Sequence, residues 1–435
     1  MSFDDDDKPP IEFVPHGDTE EIREANLALV EPSPGFDTAA NFCCDIINKN
    51  SEVTVLDFTQ QSVTVRFQID GIWHGGPPMD RESGDFMLAT IKQMAGMNFR
   101  ERRQRQEGRF KTIYLRKGQK FKVVSQGVPT GERVALYLEI RKPSAESAEE
   151  LGMRKKMREE IGALTADPEM KDILVVAVPG EGYTTAWRSI VGCADRLTRD
   201  FYVLQPVGKG DEEEIINVFP CEFDPAKGED AMSPVPQLLL KQPDILAFEE
   251  LPDGDLINRV IDMSIEKKIP LFTRQQGKHC VDGLLRLLAK GPDIKKFVDH
   301  LDTVIAMRVI RKLCTNCRIG FTPHPQLLQQ LGLPPGRVAE LFQPFVFKPG
   351  MLDDDEKEIE PCPECSGIGF KGRVGLFEKL NMTDPLRQAI AANPKNDYLQ
   401  KVAKQQGHIS MFMEGVVLIA KGITSVDELQ RVLKS

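Results

Sequence analysis

The chain has 435 residues, of which 41% are hydrophobic and 28% charged, a composition typical of a globular protein with several cores. Its formal net charge of −10 argues against a nucleic-acid partner, and no apolar run reaches the roughly 20 residues that a membrane-spanning helix needs. The amino terminus, "MSFDDDDKPP", has no signal-peptide core, so we expect a cytoplasmic protein of about two to four domains.

The amino-terminal part is predicted to hold a flexible acidic lead-in, residues 1–35, and a small αβ domain, residues 36–145. The stretch "FDTAANFCCDIINKN" has apolar residues at helical spacing, and a second helix is predicted near residues 85–97. Segments with period-two alternation, such as "SVTVRFQIDGIWH" and "RVALYLEIR", predict half-buried strands around these helices.

The central part, residues 146–300, differs in pattern. Continuous apolar segments, "ILVVAV", "FYVLQ", "DILAF" and "IPLFT", alternate with helical stretches such as residues 254–268. Buried strands separated by helices predict a parallel sheet that is covered on both faces. Residues 301–380 hold two cysteine pairs around a proline-rich acidic insert, and residues 381–435 are predicted to be helical.

The two cysteine pairs are Cys314 with Cys317 in "LCTNC" and Cys362 with Cys365 in "PCPEC". Each pair supplies two thiolates from one turn, and two such turns facing each other suit tetrahedral zinc. Four thiolates leave no open position, so the zinc would be structural. Two disulfides or a redox pair are the alternatives, and disulfides are disfavoured in the cytoplasm.

The segment "ILVVAVPGEGYTTAW", residues 173–187, has the strand, glycine-containing turn and helix of a phosphate-binding loop. Against the pattern G-x-x-x-x-G-K-[ST], Gly182 and Thr184 are retained, whereas Ala177 and Tyr183 replace the first glycine and the lysine. Tyr183 cannot supply the ammonium that offsets the charge of the β- and γ-phosphates. Glu181 adds a carboxylate, which repels the same phosphates.

Several segments, in their order along the chain, resemble the secretion-superfamily ATPases of type II secretion and type IV pilus assembly. The stretch "CPECSGIGFKGRVGLFEKL" resembles the zinc module of that family, "QPDILAFEELPD" its second nucleotide motif, and "VVSQGVPTGERVALYLEIR" its amino-terminal domain. The resemblance covers residues 36–435. It implies a multidomain α/β protein with a RecA-like P-loop NTPase domain and a four-cysteine zinc module. It also implies a homo- or hetero-hexamer with homologues, working with a platform or assembly protein at the inner membrane.

The resemblance also implies site residues. Glu250 matches the catalytic glutamate, whether active or vestigial, while Glu249 stands at a glycine position and Gln275 at the place of a family histidine. The family's acidic box would fall on Asp211 to Glu214, where the pattern is not convincing. The residues placed at nucleotide-binding positions are Gly180, Gly182, Tyr183, Thr184, Thr185, Arg188, Arg66, Arg103 and Arg109.

Three functions remain open on these observations, and we prefer the first. The chain is a pseudo-ATPase that serves as an assembly subunit, because the phosphate loop and both neighbouring motifs have changed. Alternatively, it is a divergent but active motor in which Arg188 or an amino-terminal arginine replaces the lysine. In the third hypothesis it is a sensor or scaffold whose Tyr183 and Trp187 bind a ligand other than ATP. Structural zinc is predicted in every case, whereas binding of ATP and Mg²⁺ is open.

Overall fold

The computed structural model describes residues 11–139, 147–208, 215–334, 336–348, 350–352 and 357–434. The chain divides into two compact units, Met1–Lys142 and Pro143–Ser435. Within the described ranges, none of the helices combines the length and the apolar character that crossing a lipid bilayer requires.

The amino-terminal unit contains one antiparallel sheet. Its strands are β1 (Ile11–Val14), β2 (Val53–Phe58), β3 (Ser62–Ile69), β4 (Ile72–Gly75), β5 (Met79–Asp80), β6 (Gln106–Tyr114), β7 (Lys117–Val128) and β8 (Gly131–Glu139). They are arranged in the order β1-β6-β7-β8-β2-β3-β4, and β5 pairs with β3. Every second residue of β3 and β8 is buried, which confirms the half-buried strands expected from the alternation.

In the described residues of this unit, three helices accompany the sheet: α1 (Glu20–Val30), α2 (Phe36–Asn48) and α3 (Arg81–Met94). Both predicted helices of this part are confirmed by α2 and α3. The ring of Phe42 in α2 lies 6.2 Å from the ring of Phe67 in β3, so α2 packs on the inner face of the sheet. Helix α3 begins after Asp80, whose Oδ1 accepts a hydrogen bond from the backbone of Ser83 over 2.8 Å.

A buried ion pair joins α3 to the sheet. Lys92 Nζ contacts the carboxylate of Glu132, and the two side chains are 0% and 2% exposed. Lys92 Nζ also donates to the carbonyl oxygen of Glu101 over 2.7 Å, which fastens the loop that carries Arg103. Removing one partner of such a pair leaves a buried charge uncompensated and typically costs about 3–5 kcal/mol.

Residues 11–30 depart from the flexible lead-in predicted for residues 1–35. Strand β1 extends the sheet, with Ile11 paired to Tyr114 and Val14 paired to Lys111. Helix α1 follows, and its first turn is capped by Thr19. A strand of four residues offers too few alternations to be recognised from sequence. Residues 1–10 lie outside the described residues.

The second unit contains a larger sheet and a small separate one. The strands are β9 (Asp172–Ala177), β10 (Phe201–Pro206), β11 (Val218–Phe223), β12 (Ile245–Phe248), β13 (Leu271–Gln276), β14 (Leu301–Leu313), β15 (Ile319–Phe321), β16 (Leu341–Gln343) and β17 (Phe370–Asn381). The larger sheet has the order β11-β10-β12-β13-β9-β14-β17. Adjacent strands of this sheet are parallel, except for β14 and β17, which are antiparallel to each other. Strands β15 and β16 form the small antiparallel sheet.

Helices cover both faces of the larger sheet. They are α4 (Lys155–Ala166), α5 (Tyr183–Cys193), α6 (Val235–Leu239), α7 (Gly254–Lys267), α8 (Cys280–Leu288), α9 (Ile294–His300), α10 (Pro325–Leu331), α11 (Asp384–Ala392), α12 (Asn396–Gln405), α13 (Met411–Ala420) and α14 (Val426–Lys434), with a short 3₁₀ helix at Pro225–Lys227. In β9, Ile173 and Val175 pack with α4 and α5, whereas Leu174 and Val176 pack with α7 and α8. The parallel sheet covered on two sides is thus confirmed.

Strand β14 positions both sites discussed below. It lies on the carboxyl side of the predicted boundary at residue 300, yet it pairs inside the sheet between β9 and β17. Met307 is paired with Ala177, so the following residues of β14 lie level with the loop after β9. Leu313 is paired with Phe370, so the turn after β14 lies beside the turn before β17.

Candidate functional site

The loop after β9 has the strand–turn–helix form expected from the sequence. Its backbone is left-handed at Gly180, with φ of 78°, and at Gly182, with φ of 93°. A Cβ on Gly182 would be strained by this φ and would also crowd side-chain atoms of Met307 and Val309, which lie 3.1 Å from its position. Helix α5 then begins, with Thr184 exposed and Thr185 half-buried in its first turn.

The carboxylate of Glu181 is bound by an arginine of this same unit. Arg308 of β14 donates from Nε to Glu181 Oε2 over 3.1 Å, and its Nη2 contacts the same oxygen. The Arg308 side chain is 1% exposed, so water screens the interaction poorly. A phosphate that entered the loop would have to compete with Glu181 for Arg308.

Tyr183, at the position of the lysine, lies under a second arginine. The guanidinium carbon of Arg274 is 4.3 Å from the centre of the Tyr183 ring and 5.7 Å from that of Trp187. Arg274 Nη2 donates to Glu249 Oε2 over 3.1 Å, and the two side chains are 9% and 10% exposed. Burial raises the pKa of Tyr183 to about 12, an effect that Arg274 opposes only in part, so the phenol is neutral at pH 7.

Glu250 lies two residues beyond the end of β12, at the carboxyl edge of the sheet, and is exposed. Asp253 caps α7, because its Oδ1 accepts a hydrogen bond from the backbone of Leu256 over 2.8 Å. Lys290 lies close to both carboxylates: burial lowers the pKa of Lys290, and the charges of Glu250 and Asp253 oppose that shift. The assignment of Glu250 as a catalytic base, active or vestigial, stays a prediction.

Gln275, at the place of the family histidine, and the nearby His279 form hydrogen bonds with the backbone. Gln275 is buried, and its Nε2 donates to the carbonyl oxygen of Gln276 over 3.2 Å. His279 caps α8, its Nδ1 accepting a hydrogen bond from the backbone of Asp282 over 3.3 Å. Arg188 is half-buried one turn into α5. The acidic segment Asp211 to Glu214 lies outside the described residues.

A cluster of charges connects the same strand to the carboxyl-terminal helix. Glu428 of α14 is 2% exposed and accepts hydrogen bonds from Arg311 Nη2 over 2.8 Å and from Arg431 Nη2 over 2.7 Å. Hydrogen bonding to Glu428 raises the pKa of Arg431, and the charge of Glu181 adds to the same shift. The negative charge of Glu181 therefore stabilises the charged form of Arg431 in α14, in addition to its ion pair with Arg308 in β14.

Acid should weaken the attachment of α14. Burial opposes ionisation of Glu428, but the hydrogen bonds from Arg431 and Arg311 outweigh it and lower its pKa from 4.5 to about 2. A carboxyl with a depressed pKa stabilises the fold above its unfolded pKa, and this stabilisation is lost as pH falls from 4.5 towards 2. We expect this group to remove about 2 kcal/mol of unfolding free energy between pH 6 and pH 3. Urea denaturation at both pH values measures it.

The matched variants are Glu428→Gln and, on the exposed face of the same helix, Asp427→Asn. Glu428→Gln should be less stable at pH 6, because Arg311 and Arg431 lose their carboxylate, and its stability should fall less between pH 6 and pH 3. Asp427→Asn should follow the wild type. An unchanged pH slope in Glu428→Gln would show that the cluster does not carry the effect.

The three predicted arginines of the amino-terminal unit have contacts within that unit. Arg66 Nη2 lies 2.8 Å from Asp57 Oδ2, and its guanidinium carbon lies 5.6 Å from the ring of Trp73. Arg103 is exposed in the loop that Lys92 fastens. Arg109 Nε is 3.5 Å from Glu139 Oε1 on an exposed face of the sheet. Their role in nucleotide binding stays a prediction.

The four predicted cysteines come together at the end of the β14–β17 pair. The sulfurs of Cys314, Cys317, Cys362 and Cys365 all lie within 4.8 Å of one another, and none of these residues forms a disulfide. Two of the sulfur–sulfur distances are 3.9 and 3.6 Å. A tetrahedral ion with metal–sulfur bonds of about 2.3 Å requires sulfurs about 3.8 Å apart, so the cluster fits a metal ion.

Groups around these sulfurs are placed to support a charged thiolate centre. Asn316 Nδ2 donates to Cys362 Sγ over 3.3 Å, and the backbone nitrogen of Gly369 donates to Cys365 Sγ over 3.2 Å. Such hydrogen bonds orient the ligands of a metal and partly offset their charge. Between the two pairs, the described residues include β15, α10 and β16, and Leu331 and Leu341 of this segment pack into the larger core.

Sequence reasoning missed three residues of the site: Arg274, Arg308 and Glu428. Arg308 stands within an apolar strand, "VIAMRVI", and a charged residue in a buried strand was the available signal that it has a charged partner. Arg274 follows the apolar segment "IPLFT" in the same way. Glu428 lies in a helix with ordinary polar spacing, which gave no comparable signal.

The chain is similar in sequence to known secretion and pilus assembly proteins. The family described as "Type II/IV secretion system protein" matches residues 36–431. The protein transport protein HofB homolog of Escherichia coli is 27% identical over 372 residues, covering 85% of this chain and 75% of the relative. The type II secretion system protein E of Dickeya dadantii is 24% identical over 390 residues, covering 89% and 73%. The type IV pilus assembly ATPase PilB of Thermus thermophilus is 24% identical over 375 residues. The chain spans only 40% of that last relative.

Among solved structures, the ATPase DotB of Legionella pneumophila is similar, with a TM-score of 0.52 over 98% of this chain and 99% of that one. The identity is 12%, so the likeness shows the fold alone. It confirms the predicted multidomain α/β fold, in which an antiparallel amino-terminal sheet precedes a RecA-like, mostly parallel one. Because the family match begins at residue 36 and ends at residue 431, almost the whole chain takes part in it, and the chain belongs to the type II/IV secretion system protein family.

Proposed function

We propose that this chain is a pseudo-ATPase, a subunit of a secretion or pilus-type assembly machine that contributes its fold and surfaces without turning over ATP. One observation supports the proposal: the groups of the phosphate loop are engaged with the chain's own side chains. Glu181 is bound by Arg308, and Tyr183 lies under Arg274, which is itself paired with Glu249.

We expect the charges of the loop to lower its affinity for ATP strongly. A carboxylate about 4 Å from a phosphate charge costs at most about 4 kcal/mol at an effective dielectric constant near 20, or about a thousandfold in affinity, and the ion pair with Arg308 offsets part of this repulsion. The missing lysine removes a further attraction for the β- and γ-phosphates. The two changes act on the same phosphates, so the retained Gly182 and Thr184 cannot restore ordinary affinity.

Calorimetric titration of the purified chain with Mg-ATP tests the proposal. We expect no binding heat up to millimolar nucleotide and no rise in the melting temperature. The type IV pilus assembly ATPase PilB of Thermus thermophilus, titrated under the same conditions, is the positive control. Clear one-site binding to this chain would contradict the proposal.

One observation favours a divergent ATPase as the second candidate. Arg274 places its guanidinium over the ring that replaces the lysine, where it would be a substitute cation. For that role it would have to leave Glu249, with which it is paired over 3.1 Å. ATP hydrolysis that is present in the wild type and lost in Glu250→Gln would support this candidate.

We further propose that the ion of the cysteine cluster is structural zinc. Four sulfur ligands favour zinc or an iron–sulfur centre, and the sulfur spacing of one tetrahedral ion is consistent with zinc. The ligands would be Cys314, Cys317, Cys362 and Cys365. With no open position, the ion would hold the two turns together and take no part in chemistry.

The assembly around the chain is also a proposal. The names of the relatives point to secretion and pilus assembly systems. We therefore propose a cytoplasmic protein at the inner-membrane surface, in a homo- or hetero-hexamer with homologous ATPases and in contact with a platform or assembly protein. Copurification with an active homologue of the same organism tests the mixed ring.

A further inference from the structure

A cavity opens in the amino-terminal unit where β1 leaves the sheet. In the described residues, strand β1 pairs with residues 111–114 of β6, and β6 begins five residues earlier, at Gln106. The chain then turns away into α1, and Arg23 Nη1 holds the turn by donating to the carbonyl oxygen of Gly17 over 3.1 Å. The cavity between α1 and the strands β1, β6 and β7 has a volume of about 610 Å³, within the range of about 300–1,000 Å³ typical of small-molecule sites.

The sheet side of this cavity is positively charged. Arg109, Lys111 and Lys120 line it together with one carboxylate, Glu139. Lys111 and Lys120 are directly opposite each other on β6 and β7, and both are exposed. Like charges in that position destabilise a sheet, by up to about 1 kcal/mol.

The side chains of Lys111 and Lys120 have no fixed partner in the part of the chain that the structure describes. Within the described part of the chain, neither forms a hydrogen bond or an ion pair. Glu139 lies across from Lys120 on β8 but is shared with Arg109, whose Nε is 3.5 Å away. Two uncompensated cations facing a cavity are what an anion-binding wall requires.

The rest of the lining is apolar on one side and acidic on another. Val14, which is paired with Lys111, and Leu27 are half-buried and contribute the apolar side, which gains from contact with an apolar body. Glu20, Arg23 and Glu24 of α1 also line the cavity. An anionic group would therefore keep away from the two glutamates and lie against the lysine wall.

We propose that this cavity binds a small organic anion with a compact apolar or aromatic body. The anionic group lies between Lys111 and Lys120, and the body lies against Val14 and Leu27. The site belongs to the amino-terminal unit, and it depends neither on the phosphate loop nor on the function proposed for it.

Phenyl phosphate is the probe for the test, titrated into the full-length chain and followed by calorimetry and ligand-observed NMR. We expect saturable one-site binding, weakened at least tenfold in the double variant Lys111→Gln/Lys120→Gln. Lys122→Gln is the matched control, because Lys122 is also on β7 but pairs with Glu107 over 2.8 Å and lies outside the cavity. It should bind like the wild type.

Two further titrations separate the parts of the ligand. Inorganic phosphate carries the anion alone and phenol the body alone, and each should bind at least tenfold more weakly than phenyl phosphate. If inorganic phosphate bound as tightly as phenyl phosphate, the apolar side of the cavity would have no role in binding. Absence of saturable binding by the wild type, or unchanged binding by a folded Lys111→Gln/Lys120→Gln variant, would overturn the site.

Discussion

The double variant Glu181→Ser/Tyr183→Lys is expected to bind Mg-ATP under conditions in which the wild type does not. The first change removes the carboxylate that competes for Arg308, and the second supplies the ammonium that the loop lacks. Together they change the local charge by about +2, and we expect affinity to rise at least about a hundredfold, or about 2.7 kcal/mol. Calorimetry and the nucleotide-dependent rise in melting temperature measure it.

Two controls separate this effect from a general change in charge. Tyr183→Lys alone should gain little, because Glu181 still lies in the loop and binds Arg308. The pair Glu266→Ser/Tyr398→Lys makes the same substitutions at exposed positions of α7 and α12 and should gain nothing. Without nucleotide, the loop variant should melt below the wild type, because Arg308 is left buried without Glu181. If the folded double variant Glu181→Ser/Tyr183→Lys still did not bind millimolar Mg-ATP, the two substitutions would not explain the loss of nucleotide binding.

Removal of the metal should destabilise the second unit. We expect about one zinc per chain in the purified protein, and Cys362→Ser should reduce the metal content by more than half. Structural zinc sites bind with free energies of about 10–16 kcal/mol in zinc-finger peptides, so loss of one ligand should cost at least about 2 kcal/mol. For a unit of this size that corresponds to a fall in melting temperature of about 5 °C.

Metal analysis by mass spectrometry and a thermal melt measure the two effects together. Cys221→Ser is the matched control, because Cys221 is half-buried on β11 and lies outside the cluster. A chelator should lower the melting temperature of the wild type to near that of Cys362→Ser. Protein that is fully folded and free of metal would contradict a structural ion.

The sequence predicted those features that depend on neighbouring residues. The runs "ILVVAV" and "DILAF" predicted buried parallel strands, and β9 and β12 are buried throughout. The spacing of Cys314 and Cys317 predicted one tight turn with two thiolates. Strand β1 escaped prediction, since four residues carry too little pattern, and its stability comes from pairing with β6.

By itself, the sequence determined that the phosphate loop has a tyrosine for its lysine and an added carboxylate, because both are read within the eight-residue motif. Only the tertiary structure decided what those residues contact. Glu181 meets an arginine 127 residues away, and Tyr183 meets Arg274, because β9 lies between β13 and β14 in the sheet. Strand order and register are set by packing over the whole unit, and they determine which distant charges become neighbours.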